Sequence, residues 1–123
     1  MGKDIRIVVI EDNKDLAVAV QEALSAKGYT VSVAQDGEAG IELVKSEKPK
    51  LLLLDTILPG ISGLEVLEEL EDYRKENELN VVMLSNVDEP QELKEARSHD
   101  IKEYLVKTQW RMEEVVKKIQ KYL

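Results

Sequence analysis

The chain contains no cysteine. A disulfide scaffold, a thiolate metal site and a cysteine nucleophile are therefore excluded. No stretch approaches the roughly 20 apolar residues that cross a bilayer. The opening MGKDIR is charged and leads directly into a strand-like run, which is not the pattern of a secretory leader. A cytoplasmic protein without membrane partners is expected. Positive charge is scarce: 17 Lys and Arg stand against 25 Asp and Glu, a formal net charge of −8. Such an acidic surface argues against direct binding of nucleic acid by the domain. The basic cluster KKIQKY near the C-terminus reads as the solvated face of a helix whose C-terminal dipole it favours. Repeats of 20 to 50 residues, low-complexity segments and Pro- or Ser-rich linkers are also absent. A length of 123 residues with 43% hydrophobic content suits one domain, 1–123, with one core.

What is present is an alternation of short β-branched or leucine runs with longer segments of helical period. IRIVVI (Ile5–Ile10) predicts a first strand. The segment 13–27 predicts a helix with Leu16, Ala19, Val20, Ala23 and Leu24 inward, ended by Gly28. YTVSVA (Tyr29–Ala34) predicts a second strand, followed after Asp36–Gly37 by a helix to about Lys48, with Ile41 and Val44 inward and Pro49 as its stop. KLLLL (Lys50–Leu54) predicts the third strand, and a single helix is expected from Gly63 to Glu76 on Val66, Leu67 and Leu70. NVVML (Asn80–Leu84) predicts the fourth strand. A weaker helix follows from Asp88 to about Ser98, with only Leu93 and Ala96 inward. EYLV (Glu103–Val106) predicts the fifth strand, and Gln109 to Tyr122 the last helix, on Met112, Val115, Val116 and Ile119. This (βα)5 pattern implies an α/β fold, a doubly wound parallel five-stranded sheet with helices on both faces.

The polar residues fall at the strand ends. Strand one runs into Glu11–Asp12, strand three into Asp55, strand four into Ser85 and strand five into Lys107. In an open parallel sheet these C-terminal ends share one edge, where ligands bind. Three carboxylates brought together repel unless a cation is near. An all-oxygen donor set without sulfur or imidazole points to a hard ion, Mg²⁺. Lysine pairs with a carboxylate or a phosphoryl oxygen, and a hydroxyl donates to an anion. The set is what phosphoryl transfer to a carboxylate needs: nucleophile, metal site and donors for the equatorial oxygens. Singly, each residue has an ordinary reading: an aspartate or serine as a helix cap, Lys107 as a surface lysine. Their joint placement at four strand ends favours a site.

The blocks VVIEDN, LLLLDTILPGISGLEVL, VVMLSN and YLVK, in this order and spacing, resemble the signature of the response-regulator receiver domains of two-component signalling, such as the chemotaxis regulators. The resemblance runs from Ile5 to Leu123. It implies a flavodoxin-like sheet of strand order 2-1-3-4-5. It implies that Asp55 accepts a phosphoryl group from a sensor histidine kinase or phosphotransfer protein, and that Asp12 binds Mg²⁺ directly with Asp55. Glu11 would act largely through water, and the carbonyl of Ile57 would complete the protein ligands. Lys107 and Ser85 would contact the phosphoryl group, and Tyr104 would change rotamer together with Ser85. Leu58–Pro59–Gly60 and Gly63 would shape the loop under the site. The output surface would be the 88–98 helix, strand five and the last helix, offered to a downstream protein. Trp110 lies either on that surface or packed against the start of the last helix. The chain would be no enzyme but a phosphoacceptor that assists its own phosphotransfer and slow self-dephosphorylation. Either a stand-alone receiver or a piece of a longer regulator is consistent with this reading.

Three positions depart from the pattern that the resemblance sets. Thr108 follows Lys107 where proline is usual; a cis bond without proline costs about 2.5–4 kcal/mol, so a trans bond and a rearranged loop are expected. Asn86 stands where Ala or Gly is usual, and either narrows access to Asp55 or reaches the phosphoryl group. Asp100 stands where a glycine usually ends the preceding helix; aspartate adopts the left-handed conformation only at some cost, so a strained or differently shaped turn is expected, with the sole histidine, His99, on its surface. The resemblance places Ile57 and Val87 along the path of the attacking water; neither has a hydrogen-bonding group, which implies slow self-dephosphorylation. Three rival readings fit the sequence less well. A receiver-like interaction module that is never phosphorylated is opposed by the intact acids, Ser85 and Lys107. A haloacid-dehalogenase-type phosphatase wants a second acid where Ile57 stands. A flavodoxin-like electron carrier needs a Ser/Thr/Gly-rich phosphate loop where EDNKD is acidic.

Overall fold

Four consecutive leucines, Leu51–Leu54, are each no more than 3% exposed, as a strand covered on both faces requires. The computed structural model describes residues 4–86 and 90–123. The strands are β1 (Arg6–Ile10), β2 (Thr30–Ala34), β3 (Leu51–Leu54), β4 (Asn80–Ser85) and β5 (Glu103–Val106). They form one parallel sheet in the order β2-β1-β3-β4-β5. The helices are α1 (Lys14–Ser25), α2 (Gly37–Glu47), α3 (Gly63–Glu69), α4 (Glu71–Asn77), α5 (Pro90–Ser98) and α6 (Met112–Gln120). This is the doubly wound, flavodoxin-like α/β fold that the sequence implied.

The period-2 alternation of the strands decides which helix covers which face. Leu52 and Leu54 pack with Val8, Ile10, Val81 and Met83 beneath Ile41 and Val44 of α2, Val66 and Leu67 of α3, and Ala96 of α5. Leu51 and Leu53 pack with Ile7, Val9, Val82 and Leu84 beneath Val20 and Leu24 of α1 and Val115, Val116 and Ile119 of α6. Polar caps fix where three helices begin. Asn13 Oδ1 accepts from the Leu16 amide at 3.1 Å, and Asp36 Oδ1 from that of Ala39 at 2.8 Å. Ser62 and Glu65 exchange the two bonds of a capping box at α3. No helix among the described residues is long and apolar enough to cross a membrane.

The structure corrects the sequence reading in four places. The helix expected from Gly63 to Glu76 is two, joined at Leu70, whose φ of −91° and ψ of 3° leave the helical region while its side chain stays fully buried. In α1, Ala17 is buried and Ala19 exposed: the buried face runs Ala17, Val20, Leu24, and Ala19 lies about 200° round the helix from Ala17. The last helix begins at Met112, and Lys107–Gln109 form a separate 3-10 turn. His99 is half-buried. Val87 and Asp88, the latter the expected helix start, lie outside the described residues.

Asp100 adopts the left-handed conformation, with φ of 58°. Arg74 of α4 holds this turn: its guanidinium donates to the carbonyls of His99 at 2.6 Å and Asp100 at 2.8 Å. The bend at Leu70 thus ends in a clamp between α4 and the close of α5. Arg74→Ala removes two charge-assisted bonds, and a loss of about 1–3 kcal/mol is expected. Urea denaturation at unchanged m-value reads it; an unaltered midpoint would refute the clamp.

Candidate functional site

Ladder bonds fix the height at which each acid leaves the sheet. The Glu11 amide donates to the Ala34 carbonyl at 3.0 Å, and the Asp55 amide to that of Ile10 at 3.1 Å. Ser85 is the last residue of β4 and pairs with Val106, after which Lys107 follows at once. Glu11, Asp12, Asp55 and Lys107 therefore converge on one edge.

The carboxylates of Glu11, Asp12 and Asp55 each present an oxygen, all within 4.8 Å of one another. Glu11 and Asp55 are 3% and 6% exposed, whereas Asp12 is open to solvent. Lys107 Nζ bridges the two buried acids, 2.6 Å from Glu11 Oε1 and 3.0 Å from Asp55 Oδ2. Glu11 Oε2 accepts from the Asn13 amide at 3.0 Å, and Asp55 Oδ1 from that of Ile57 at 3.4 Å. The same Asn13 that caps α1 thus also orients Glu11. An all-oxygen, three-carboxylate set with one open side fits a hard divalent cation.

Burial pushes the Glu11 carboxyl up to about 7; the hydrogen bonds from Lys107 and Asn13 oppose the shift, and the Asp55 charge adds to it. Burial disfavours the Lys107 ammonium, but its bonds to Glu11 and Asp55 outweigh this and hold it above its ordinary value. The backbone after Asp55 is pressed against α3. The Gly63 amide donates to the Thr56 carbonyl at 2.8 Å, and a Cβ at Gly63 would lie 2.1 Å from the Asp55 carbonyl oxygen. Only glycine fits there.

The remaining expected residues take distinct places. The Ser85 hydroxyl is fully buried and hydrogen-bonded to that of Thr56. Tyr104 is half-buried against the α2–α3 side of the core and in register with Met83. Ile57 turns its side chain outward, 64% exposed, and engages Asp55 through its backbone amide. The Lys107–Thr108 bond is trans and Asn86 is exposed. Trp110 packs on the α1–α6 core, with Lys118 Nζ 5.1 Å from its ring centroid. Sequence reasoning missed Thr56. The available signal was register: Leu54 pairs with Met83, so two residues on Thr56 stands beside Ser85.

A sequence model of the family described as response regulator receiver domain matches residues 7–120. The signal receiver domain of the putative response regulator NarL from Mycobacterium tuberculosis is 31% identical, at a TM-score of 0.85, over 98% of this chain and 96% of that one. A LuxR-family DNA-binding response regulator from Staphylococcus aureus aligns at 24% identity and a TM-score of 0.86, covering 96% of this chain and 98% of that one. A CheY-like receiver domain protein from Methanospirillum hungatei shares the fold at 21% identity and a TM-score of 0.90, covering 97% and 93%.

A carboxyl raised by folding contributes stability that is fully present below its unfolded value, about 4.5, and is lost as pH rises through about 7. The metal-free protein is expected to lose on the order of 1–3 kcal/mol from Glu11 across that window. Glu11→Gln should flatten the corresponding slope in urea titrations with chelator at fixed ionic strength. An identical slope in the variant would show that Glu11 is not the group.

Proposed function

Since the chain belongs to the response regulator receiver domain family, we propose that it is a phosphorelay switch in two-component signalling whose phosphoacceptor is Asp55. The observation that carries this reading is the buried Asp55 carboxylate held by Lys107 at 3.0 Å beside two further acids. An Asp55 oxygen attacks the phosphorus of a phosphohistidine on a kinase or phosphotransfer protein. The new P–O bond forms as the P–N bond breaks, and its electron pair leaves with the imidazole, which takes up a proton. Lys107, already beside Asp55, neutralises a phosphoryl oxygen, and Ser85 donates to another.

The cation is Mg²⁺ in this reading; Asp12, Asp55 and the carbonyl of Ile57 would hold it, with Glu11 acting through water, and when bound it supplies positive charge opposite the phosphoryl oxygens. The chain is not an enzyme acting on other molecules but a cytoplasmic acceptor that assists its own phosphotransfer. Phosphorylation brings Ser85 toward Asp55 and Tyr104 into the vacated space. The response reaches a downstream protein through α5, β5 and α6. Helix α5 suits this role, since among its described side chains Ala96 is fully buried while Leu93 is only half-buried. DNA binding is named for the Staphylococcus aureus protein and is not part of this reading.

Incubation with Mg²⁺ and acetyl phosphate, followed by intact mass, is expected to show gain of one phosphoryl group, absent without Mg²⁺ and absent in Asp55→Ala. No gain from either acetyl phosphate or a phosphorylated histidine kinase would favour the unphosphorylated interaction module, with Asn86 and the turn after Lys107 as the obstacles. The phosphorylated form is expected to persist for minutes or longer, because the outward Ile57 side chain has no group to orient water. A half-life of seconds in the same mass assay would overturn that expectation.

A further inference from the structure

Glu11, Asp12, Asp55 and Lys107 account for the charged part of the site, but two buried hydroxyls adjoin it, one on the residue after Asp55 and one on the last residue of β4. Thr56 is 2% exposed and Ser85 0%, and their hydroxyls are hydrogen-bonded to each other. The backbone of the threonine is held in place. Its carbonyl accepts from the Gly63 amide at 2.8 Å, and its Cα would be only 2.9 Å from a Cβ at Gly63. It directly follows Asp55, whose own amide is tied to Ile10 at 3.1 Å. Being β-branched, it has few side-chain rotamers open to it. Ser85 has no such branch and can turn.

The proposed switch requires the Ser85 hydroxyl to face a phosphoryl group on Asp55, and in this structure it faces Thr56. We propose that Thr56 is a positioning residue: its hydroxyl latches Ser85 in the resting orientation and sets the threshold for switching. This rests on the reading of Asp55 as phosphoacceptor. When Ser85 turns, the bond between the hydroxyls breaks and the rigid Thr56 hydroxyl stays behind in a site closed to water. An enclosed hydroxyl without its partner is unfavourable, so the latch biases the protein toward the unphosphorylated state. Valine at position 56 keeps the shape, removes the latch and leaves no stranded hydroxyl.

The test is the affinity for beryllofluoride with Mg²⁺, a phosphoryl mimic that needs no kinase, read from backbone-amide NMR shifts near Asp55. Thr56→Val is expected to bind about three- to tenfold more tightly than the wild type, the span of one net hydrogen bond. Thr56→Ser, which keeps the hydroxyl but loses the β-branch, should stay closer to the wild type than the valine variant does, and Thr56→Cys, a weak hydrogen-bonding group, should also tighten binding less than valine and serves if the valine variant does not fold. On a Ser85→Ala background the Thr56 substitutions should change nothing, since a pairwise term vanishes when its partner is gone. Equal or weaker binding by folded Thr56→Val overturns the latch, as does a shift of the same size on the Ser85→Ala background. A wild type that shows no response lost in Asp55→Ala would instead refute the phosphoacceptor reading, and the latch with it.

Discussion

Two carboxylates almost closed off from water, those of Glu11 and Asp55, share a single ammonium. Like charges at this depth repel strongly, and Lys107 holds them at 2.6 and 3.0 Å. Much of the fold follows from keeping these three groups level. β1 and β3 are neighbours, in register through Ile10 and Leu54, so the two acids leave the sheet side by side. β5 is not adjacent to β3; β4 lies between them. The lysine must therefore reach across the end of β4, which its long flexible stem allows. That β4 ends in a residue as small as Ser85 keeps the way open.

The acids are pinned from the opposite side by close approaches of helices. Gly40 in α2 lies so near β1 that a Cβ there would be 2.2 Å from Ile10 Cδ1, and Gly63 in α3 lies as close to the Asp55 carbonyl. Gly63 thus presses on the backbone at Asp55, whereas Gly40 makes room for the side chain of Ile10, the residue before Glu11. Packing density, not hydrogen bonding alone, thus sets the height of the carboxylates. The face that does this is the one built by Leu52 and Leu54. The other face, built by Leu51 and Leu53, holds α1 and α6. One run of leucines supports both layers and ends at Asp55.

The fold class, the five strands and the convergence of Glu11, Asp12, Asp55 and Lys107 were legible from the alternation of elements and from the residues closing each strand. What was not legible depended on tertiary contacts. The segment 63–77 has an unbroken helical period, and nothing in it announces the joint at Leu70, which serves a clamp by Arg74 on a turn some 25 residues away. The turn at Asp100 was legible as a strained one because a departure from the expected glycine marks a backbone demand, yet the guanidinium that stabilises it was not. Thr56 was passed over because a threonine at a strand end is ordinary on propensity alone. Its partner becomes visible only when the register of β3 and β4 is carried past the last leucine.

The absence of proline after Lys107 raises the question of what fixes the lysine. The chain there turns through a 3-10 segment, Lys107–Gln109, with an ordinary trans bond. Such a short turn carries little stability of its own. Just beyond it, Trp110 packs on the core shared by α1 and α6, and Lys118 of α6 sits over its ring. Glu114 then accepts from the Arg111 amide at 2.9 Å and fixes the start of α6. The lysine is held between two anchors, the buried Val106 before it and the Trp110 ring after it. Packing of a half-buried indole thus does what a proline ring does by restricting φ. The position of the ammonium is thereby tied to the seating of α6 on the sheet, so that a movement of that helix would reach the carboxylates through Lys107.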